Sequence, residues 1–362
     1  MKITKIRTGL LTIGLKKPFK TALRTANSLT TVIVAIDTDA GVTGYGEGSP
    51  SGSVTGDSLG GIQGAIREYF APRLMGKPIE NLEENLCLLD AACIGNSNAK
   101  AACDIALHDL YGKLHQIPLY KLFGGFRKDF QTDLTISVND PEEMVADSLS
   151  AVQQGFSVIK LKVGKDPELD IRRIRSIREA VGAGIVIRVD ANQGWTPKEA
   201  VSILRKLDQA GLGIELVEQP VPALDLEGLK MVTDSSPIPV MADESVHSVR
   251  DAIGIVTAKA ADFVNIKLMK CGGLHGALRI CAVAEAYKME CMLGCMLESK
   301  LSVTAAGHLA GGKSIVTRFD LDGPSLCSSD PIEGGLVING PKLTLPDAPG
   351  LGISGVQGVR WE

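Results

Sequence analysis

The chain has 362 residues, of which 44% are hydrophobic and 22% are charged. This composition is typical of a soluble globular protein and excludes a disordered or membrane-embedded chain. The 38 basic and 42 acidic residues give a net charge of −4. That balance argues against nucleic acid and membranes as partners, because both attract basic surfaces.

The cysteines and the N-terminus indicate where such a protein resides. The eight cysteines are scattered without a CxxC pair, and the N-terminus carries charge where a signal peptide would be apolar. No apolar stretch approaches the roughly 20 residues needed to span a bilayer. We therefore expect reduced thiols and a cytoplasmic location.

The first third of the chain predicts an α+β domain. Residues 31–38 and 42–48 alternate in the manner of β-strands and predict an antiparallel hairpin or meander. Small and apolar residues then recur at helical spacing. Strands followed by helices indicate a separate α+β domain, which we assign to residues 1–125.

A strand–helix repeat begins after residue 126. Its strand ends recur every 24 to 28 residues between Lys162 and Lys267. Eight units favour a closed parallel barrel over an open doubly wound sheet, because no G-x-G-x-x-G or Walker A motif follows any strand. We assign the barrel to residues 126–325 and expect the Gly/Pro-rich residues 326–362 to return to the first domain. The predicted strands are 133–138, 158–163, 185–190, 214–218, 240–242, 263–267, 291–294 and 315–320.

Three consecutive predicted strands end in a carboxylate: Asp190, Glu218 and Asp243. The C-terminal strand ends of a parallel barrel meet at one rim, so these acids should converge. Grouped carboxylates repel one another, and Mg²⁺, which prefers oxygen ligands, relieves that repulsion. The alternative is three solvated acids that cap the following helices, but their repetition on three strands favours the metal.

Lysines flank the predicted acidic rim. Lys160 and Lys162 are two residues apart on one strand and therefore share a face, while Lys267 ends a strand roughly opposite. A second ammonium and a nearby cation lower the pKa of a lysine, so Lys162 can act as a base. Two lysine bases around a metal-bound carbon acid predict α-proton removal and its return on either face. Snorkelling lysines on an edge strand are the alternative for Lys160 and Lys162.

Together these motifs resemble the muconate lactonising subgroup of the enolase superfamily over essentially the whole chain. The resemblance implies an α/β fold in which an N-terminal α+β capping domain covers a modified TIM barrel, (β/α)7β. It also implies one Mg²⁺ per subunit held by Asp190, Glu218 and Asp243, with Lys162 and Lys267 as catalytic residues. The motifs that carry it are Lys160-Leu161-Lys162, Asp190-Ala191-Asn192, Glu218-Gln219-Pro220, Ala242-Asp243-Glu244-Ser245 and Asn265-Ile266-Lys267-Leu268-Met269-Lys270-Cys271-Gly272-Gly273.

Within that subgroup, Asp320-Leu321-Asp322 resembles the Asp-x-Asp motif with which dipeptide epimerases hold the α-ammonium of their substrate. Arg24 resembles the loop arginine that pairs with a glutamate side chain. The resemblance further implies substrate contacts for Thr135, Lys160 and Cys295. It thus predicts an isomerase that inverts the C-terminal residue of small L-Ala-D/L-Glu type dipeptides by two-base 1,1-proton transfer through an enediolate, in peptidoglycan peptide metabolism.

Two alternatives stay open at this point. An N-succinylamino acid racemase or a cycloisomerase of the same subgroup would use the same lysines and acids, although an anionic substrate group beside Asp320 and Asp322 is unfavourable. A non-catalytic, metal-retaining dipeptide binder is the alternative from a different class. A homo-oligomer is also left open.

Overall fold

Long β-strands open the chain in this computed structural model, which describes residues 1–21 and 25–362. β1 (Ile3–Lys20), β2 (Thr25–Thr38) and β3 (Thr43–Gly48) pair antiparallel in that order. The β2–β3 pair is the antiparallel arrangement predicted for residues 31–38 and 42–48, while β1 lies outside those segments. Along β2, Val32 to Ile36 are fully buried because one face packs on helices and the other on the rest of the protein.

Helices of the first domain cover this sheet. Helix α4 (Ser97–Leu114) crosses β3 closely because Gly44, Gly46 and Gly48 face it: a Cβ at Gly46 would lie 1.9 Å from the Ala102 carbonyl oxygen. Successive strand residues point to opposite faces, so Glu47 points away from α4. The helices are α1 (Leu59–Ala65), continued by a π-helical turn (Ile66–Phe70), then α2 (Ala71–Leu74), α3 (Leu82–Asp90), α4 (Ser97–Leu114) and α5 (Leu119–Leu122).

A nearly closed barrel follows the short strand β4 (Asp129–Gln131). Its eight parallel strands lie side by side in chain order, and each of the first seven is followed by helix. The predicted α/β fold, a (β/α)7β barrel with an N-terminal α+β domain, is confirmed. The strands are β5 (Leu134–Ile136), β6 (Val158–Lys162), β7 (Val186–Asp190), β8 (Ile214–Glu218), β9 (Val240–Ala242), β10 (Phe263–Ile266), β11 (Cys291–Gly294) and β12 (Val316–Asp320).

The outer helices bury one apolar face each against the barrel. Helix α8 buries Ala200, Ile203, Leu204 and Leu207, which recur at three and four residues, and Thr196 closes its first turn in a capping box. The helices are α6 (Pro141–Gln153), α7 (Pro167–Val181), α8 (Pro197–Gln209), α9 (Leu226–Ser235), α10 (Val249–Ala258), α11 (Leu268–Cys271), α12 (Leu274–Tyr287) and α13 (Lys300–Gly312).

The C-terminal residues contact both parts of the chain. Strand β17 (Arg360–Trp361) pairs with β1, and strand β15 (Lys342–Thr344) pairs with β4. The elements are α14 (Gly323–Leu326), β13 (Ile332–Gly334), β14 (Val337–Asn339), β15 (Lys342–Thr344), β16 (Ile353–Val356) and β17 (Arg360–Trp361). Among the described residues, no helix is long and apolar enough to cross a membrane.

His308 makes the stability of this fold depend on pH. It lies buried in α13, where Nδ1 accepts from the Tyr120 amide at 3.0 Å, and burial lowers its pKa to about 4. The unfolded chain therefore takes up a proton first as the pH falls from about 6.5, and the folded state loses stability until about pH 4.

We predict that His308→Asn, which keeps an acceptor for the Tyr120 amide, removes this contribution. Between about pH 6.5 and 4, the free energy of unfolding of the unaltered protein should fall by up to about 1.4 kcal/mol per pH unit more than that of the variant. Urea titrations over this range measure the difference. Identical pH dependence of the two proteins would contradict the assignment.

Candidate active site

Ionisable side chains from six barrel strands meet at the C-terminal mouth of the barrel. The strand ends place them there because parallel strands end at one rim. All ten are buried, and we call them the mouth cluster. It contains six carboxyls, Asp190, Glu218, Asp243, Glu244, Asp320 and Asp322, and four lysines, Lys160, Lys162, Lys267 and Lys270.

The lysines of β6 contact three different strands. Lys162 Nζ donates to Asp190 Oδ2 on β7 at 2.5 Å. Lys160 Nζ lies 2.7 Å from Asp320 Oδ2, 2.7 Å from Glu218 Oε2 and 3.1 Å from Asp190 Oδ2. The two side chains enter the barrel together, as their spacing predicts, but Lys160 lies deeper, where its charge is shared among carboxylates.

A second pair of lysines holds Asp243 on the opposite side. Lys267 Nζ donates to Asp243 Oδ2 at 2.6 Å, and Lys270 Nζ donates to Oδ1 at 2.5 Å and also to the Asp243 carbonyl oxygen. The sequence analysis assigned no role to Lys270. A signal was available: Lys270 follows Lys267 by three residues, so the turn of α11 brings both ammonium groups to one carboxylate.

The surplus of carboxyls sets the electrostatics of the mouth cluster. When all are ionised, six carboxylates against four ammonium groups leave two negative charges. Burial and the neighbouring acids raise the pKa of Glu218 to about 7, of Glu244 to about 8 and of Asp322 to about 6. Burial also acts against ionisation of Asp190, but the lysines outweigh it and lower its pKa to about 2.

Several buried oxygen atoms at the barrel mouth have no hydrogen-bond donor. Among the described residues, Glu218 Oε2, Glu244 Oε2, Asn192 Oδ1 and Asn265 Oδ1 accept no hydrogen bond. The Lys160 ammonium lies near Glu218 Oε2 but outside hydrogen-bond geometry. Carboxylate and amide oxygens are the ligands that hard divalent cations prefer, so this donor set fits Mg²⁺.

The candidate metal ligands have lysines as well as other acids as neighbours. In the described part of the chain, no three His, Cys, Asp or Glu side chains are arranged as a ready-made metal site. The closest partners of Asp190 and Asp243 are the ammonium groups of Lys162, Lys267 and Lys270. The three predicted ligands are nevertheless joined through shared lysines, since Lys160 contacts both Asp190 and Glu218, and Lys267 reaches Glu218 at 4.0 Å.

A cavity of about 60 Å³ opens beside the mouth cluster. Lys162 and Lys267 line it, together with the predicted substrate contacts Thr135, Cys295, Asp320 and Asp322. Thr135 donates its amide to Asp322 Oδ2 at 2.7 Å. Residues Ser51 and Val54 of the first domain also line it, which sequence reasoning missed. The predicted Arg24 lies outside the described residues.

A larger groove of about 800 Å³ adjoins this cavity. The two spaces share Phe19, Thr135 and Leu326 as lining residues. The groove therefore offers room beside these residues for the part of a substrate that extends beyond the cavity.

Comparison with protein families identifies the fold family. A model of the mandelate racemase / muconate lactonizing enzyme N-terminal domain matches residues 5–124, and a model described as enolase C-terminal domain-like matches residues 143–356. The chain belongs to the mandelate racemase / muconate lactonizing enzyme family. This membership confirms the resemblance to the enolase superfamily that the strand-end motifs carry.

Several members of this family resemble the chain over nearly its full length. An L-Ala-D/L-Glu epimerase of Clostridium acetobutylicum is 56% identical over 98% of this chain and 99% of its own. The substrate-liganded L-Ala-D/L-Glu epimerase of Bacillus subtilis is 48% identical, with a TM-score of 0.97 over 98% of this chain and 99% of that chain. A dipeptide epimerase of Enterococcus faecalis, complexed with Mg and L-Leu-L-Tyr, is 43% identical, with a TM-score of 0.95 over 98% and 100%.

The buried ion pair between Lys270 and Asp243 should contribute several kcal/mol to the free energy of unfolding. Lys270→Met leaves Asp243 with one ammonium fewer in a buried site, and we expect the free energy of unfolding to fall by about 3 kcal/mol. Lys230→Met is the matched control, because Lys230 pairs with Asp234 on the surface. That change should cost less than about 1 kcal/mol. Equal losses in urea titrations of the two variants would contradict this account.

Proposed function

We propose that the protein is a Mg²⁺-dependent dipeptide epimerase that inverts the C-terminal residue of L-Ala-D/L-Glu type dipeptides. The observation that carries this proposal is the pair of lysines on the cavity wall. Lys162 and Lys267 come from β6 and from the end of β10, and each is held by a different carboxylate. Epimerisation needs two proton-transfer groups on opposite faces of one carbon.

One lysine removes the α-proton of the substrate, and the other lysine delivers a proton to the opposite face of the same carbon. One lysine, as the neutral amine, takes the α-proton, and the C–H electrons move into the adjacent carboxylate to give an enediolate. The other lysine, as the ammonium, returns a proton to the opposite face. Although burial disfavours its charge, Asp243 and Glu218 raise the pKa of Lys267, which keeps it protonated in the free protein. With one epimer bound, Lys267 acts as the proton donor and Lys162 as the base, and with the other epimer bound the two roles are exchanged.

Asp190, Glu218 and Asp243 would hold the metal. Their buried oxygens, including Glu218 Oε2, which accepts no hydrogen bond among the described residues, supply the charge and ligand type that the ion prefers. When bound, Mg²⁺ supplies Lewis-acid stabilisation of the negative charge that develops on the substrate carboxylate. The mouth cluster contributes fixed charges that need no reorganisation during the reaction.

Asp320 and Asp322 would bind the α-ammonium of the dipeptide. Asp320 ends β12 and Asp322 follows two residues later, and both line the cavity together with Thr135 and Cys295. Lys160 would polarise the substrate carboxylate from its deeper position in the barrel, where it contacts Asp190, Glu218 and Asp320. Arg24 would pair with the glutamate side chain, and the dipeptide would extend past Thr135 into the adjoining groove.

A racemase or cycloisomerase of the same family is the second candidate. Such substrates lack a free amine and would bring an acyl oxygen or a second carboxylate to Asp320 and Asp322. Two buried carboxylates disfavour another anion, and they attract a cationic amine. The pairing of Asp320 with Lys160 alone does not neutralise both acids, which favours the dipeptide.

Three further predictions accompany this function. We place the reaction in the cytoplasm, because all eight cysteines are free thiols. We assign residues 1–125 to the capping domain, 126–325 to the barrel and 326–362 to a segment that returns to the capping domain. A homo-oligomer is compatible with the proposed reaction.

The two-base assignment predicts how each lysine variant treats L-Ala-L-Glu and L-Ala-D-Glu in deuterated water. The unaltered protein should incorporate deuterium at the α-carbon of the C-terminal residue and interconvert the epimers. Lys162→Ala and Lys267→Ala should each lose interconversion by at least about 100-fold, because each removes a proton-transfer group. Each variant retains exchange with one epimer at most.

Lys165→Ala serves as the matched control, because Lys165 is a lysine outside the mouth cluster, and it should keep full activity. Mass spectrometry of deuterium incorporation and chiral chromatography measure both quantities. Interconversion retained by both Lys162→Ala and Lys267→Ala would exclude two-base catalysis. A total lack of exchange by the unaltered protein on dipeptides, with exchange on N-succinylamino acids, would favour the second candidate.

A further inference from the structure

We propose that Glu47 of the capping sheet is a positioning residue that fixes the pocket wall formed by residues 295–298. The proposal rests on the epimerase function above, because it assigns Glu47 to substrate fit in that site. Glu47 is fully buried on β3 and lies far in sequence from the barrel residues that it contacts.

Glu47 binds the start of helix α13. Its Oε1 accepts from the Ser299 amide at 2.9 Å, and its Oε2 accepts from the Ser299 hydroxyl at 2.6 Å and the Ser302 amide at 3.0 Å. The first amides of a helix have no partner within the helix, and a carboxylate is favourable at that end. Glu47 therefore fixes this helix start from the capping sheet.

The backbone of β3 aims Glu47 at that helix. Gly46 and Gly48 on either side of Glu47 face α4, where a Cβ at Gly46 would collide with the Ala102 carbonyl. Because the glycines let α4 approach closely, β3 cannot shift toward the helix or rotate without a clash. The Glu47 carboxylate is thus held by the capping domain and presented to the barrel.

The same helix start holds the wall of the substrate cavity. Glu298 Oε1 accepts from the Met296 amide at 2.6 Å, and its Oε2 accepts from the Ser302 hydroxyl. Ser49, two residues after Glu47, donates to the Leu297 carbonyl at 2.5 Å. Cys295, Met296 and Leu297 line the cavity together with Lys267, Asp320 and Asp322.

These contacts form one continuous connection from the capping domain to the substrate. Glu47 fixes Ser299 and Ser302, Ser302 orients Glu298, and Glu298 holds the Met296 amide. Among the described residues, Glu47 neither lines the cavity nor contacts Lys162 or Lys267. Its effect should therefore fall on how well a dipeptide fits, and only weakly on proton transfer once the dipeptide is bound.

Glu47→Gln tests this directly. It replaces one carboxylate oxygen by an amide NH2 group, which cannot accept the hydrogen bonds that this oxygen accepts from Ser299 or Ser302. We expect the KM for L-Ala-L-Glu to rise about tenfold while kcat stays within about twofold, because a charged buried hydrogen bond is lost away from the reacting atoms. Hydrogen–deuterium exchange should also become faster in residues 295–302.

Asp109→Asn is the matched control. Asp109 is equally buried in the capping domain and accepts two backbone amides, from Tyr45 and Leu351, but it does not contact residues 295–302 among the described contacts. The free energy of unfolding of this variant should fall. Its KM for L-Ala-L-Glu and the hydrogen–deuterium exchange of residues 295–302 should not change. If Glu47→Gln does not fold by circular dichroism, Ser299→Ala removes one donor to Glu47 and should shift KM and exchange in the same direction.

Two results would overturn the proposal. One is that Glu47→Gln changes neither the KM for L-Ala-L-Glu nor the rate of hydrogen–deuterium exchange in residues 295–302. The other is a kcat that falls by one common factor for every dipeptide at constant KM, which marks a loss of folded protein only. If the unaltered protein epimerises no dipeptide, the proposed function fails by itself, and the exchange of residues 295–302 still decides whether Glu47 fixes this wall.

Discussion

Buried charge is the constraint on which the rest of this structure depends. Ten ionisable side chains lie in the barrel mouth, out of contact with bulk water, and each charged group there needs a partner of opposite sign. A parallel barrel satisfies this requirement because it brings the ends of several strands to one rim. The pairs between β6, β7, β8 and β12 are therefore both structural contacts and the proposed catalytic apparatus.

The lysines of the mouth cluster do not match its carboxyls in number, and this imbalance links the buried charge to function. Four lysines cannot balance six carboxyls, and several acceptor oxygens have no donor among the described residues. A site with surplus oxygen ligands and two lysines facing one cavity suits a divalent cation and a substrate with an acidic C–H bond. The first domain also contributes to the site, since Ser51 and Val54 line the cavity and Glu47 accepts a hydrogen bond from Ser299 at the start of α13.

The sequence predicted much of this arrangement because strand geometry is local. The period of the strand–helix repeat predicts the barrel, and the residues at strand ends, such as Asp190, Glu218 and Lys267, follow from it. Contacts that depend on helix turns and on distant segments could not be read this way. Lys270 reaches Asp243 through α11, and Glu47 meets Ser299 across 252 positions of sequence. The domain limits and the roles of single site residues remain predictions.

A crystal structure with Mg²⁺ and L-Ala-L-Glu bound tests the central claim most directly. The account predicts Lys162 Nζ and Lys267 Nζ on opposite faces of the α-carbon of the glutamate residue. It also predicts Mg²⁺ held by Asp190, Glu218 and Asp243, and the dipeptide ammonium between Asp320 and Asp322. Both lysines on one face of that carbon, or a metal bound away from the three acids, would contradict it.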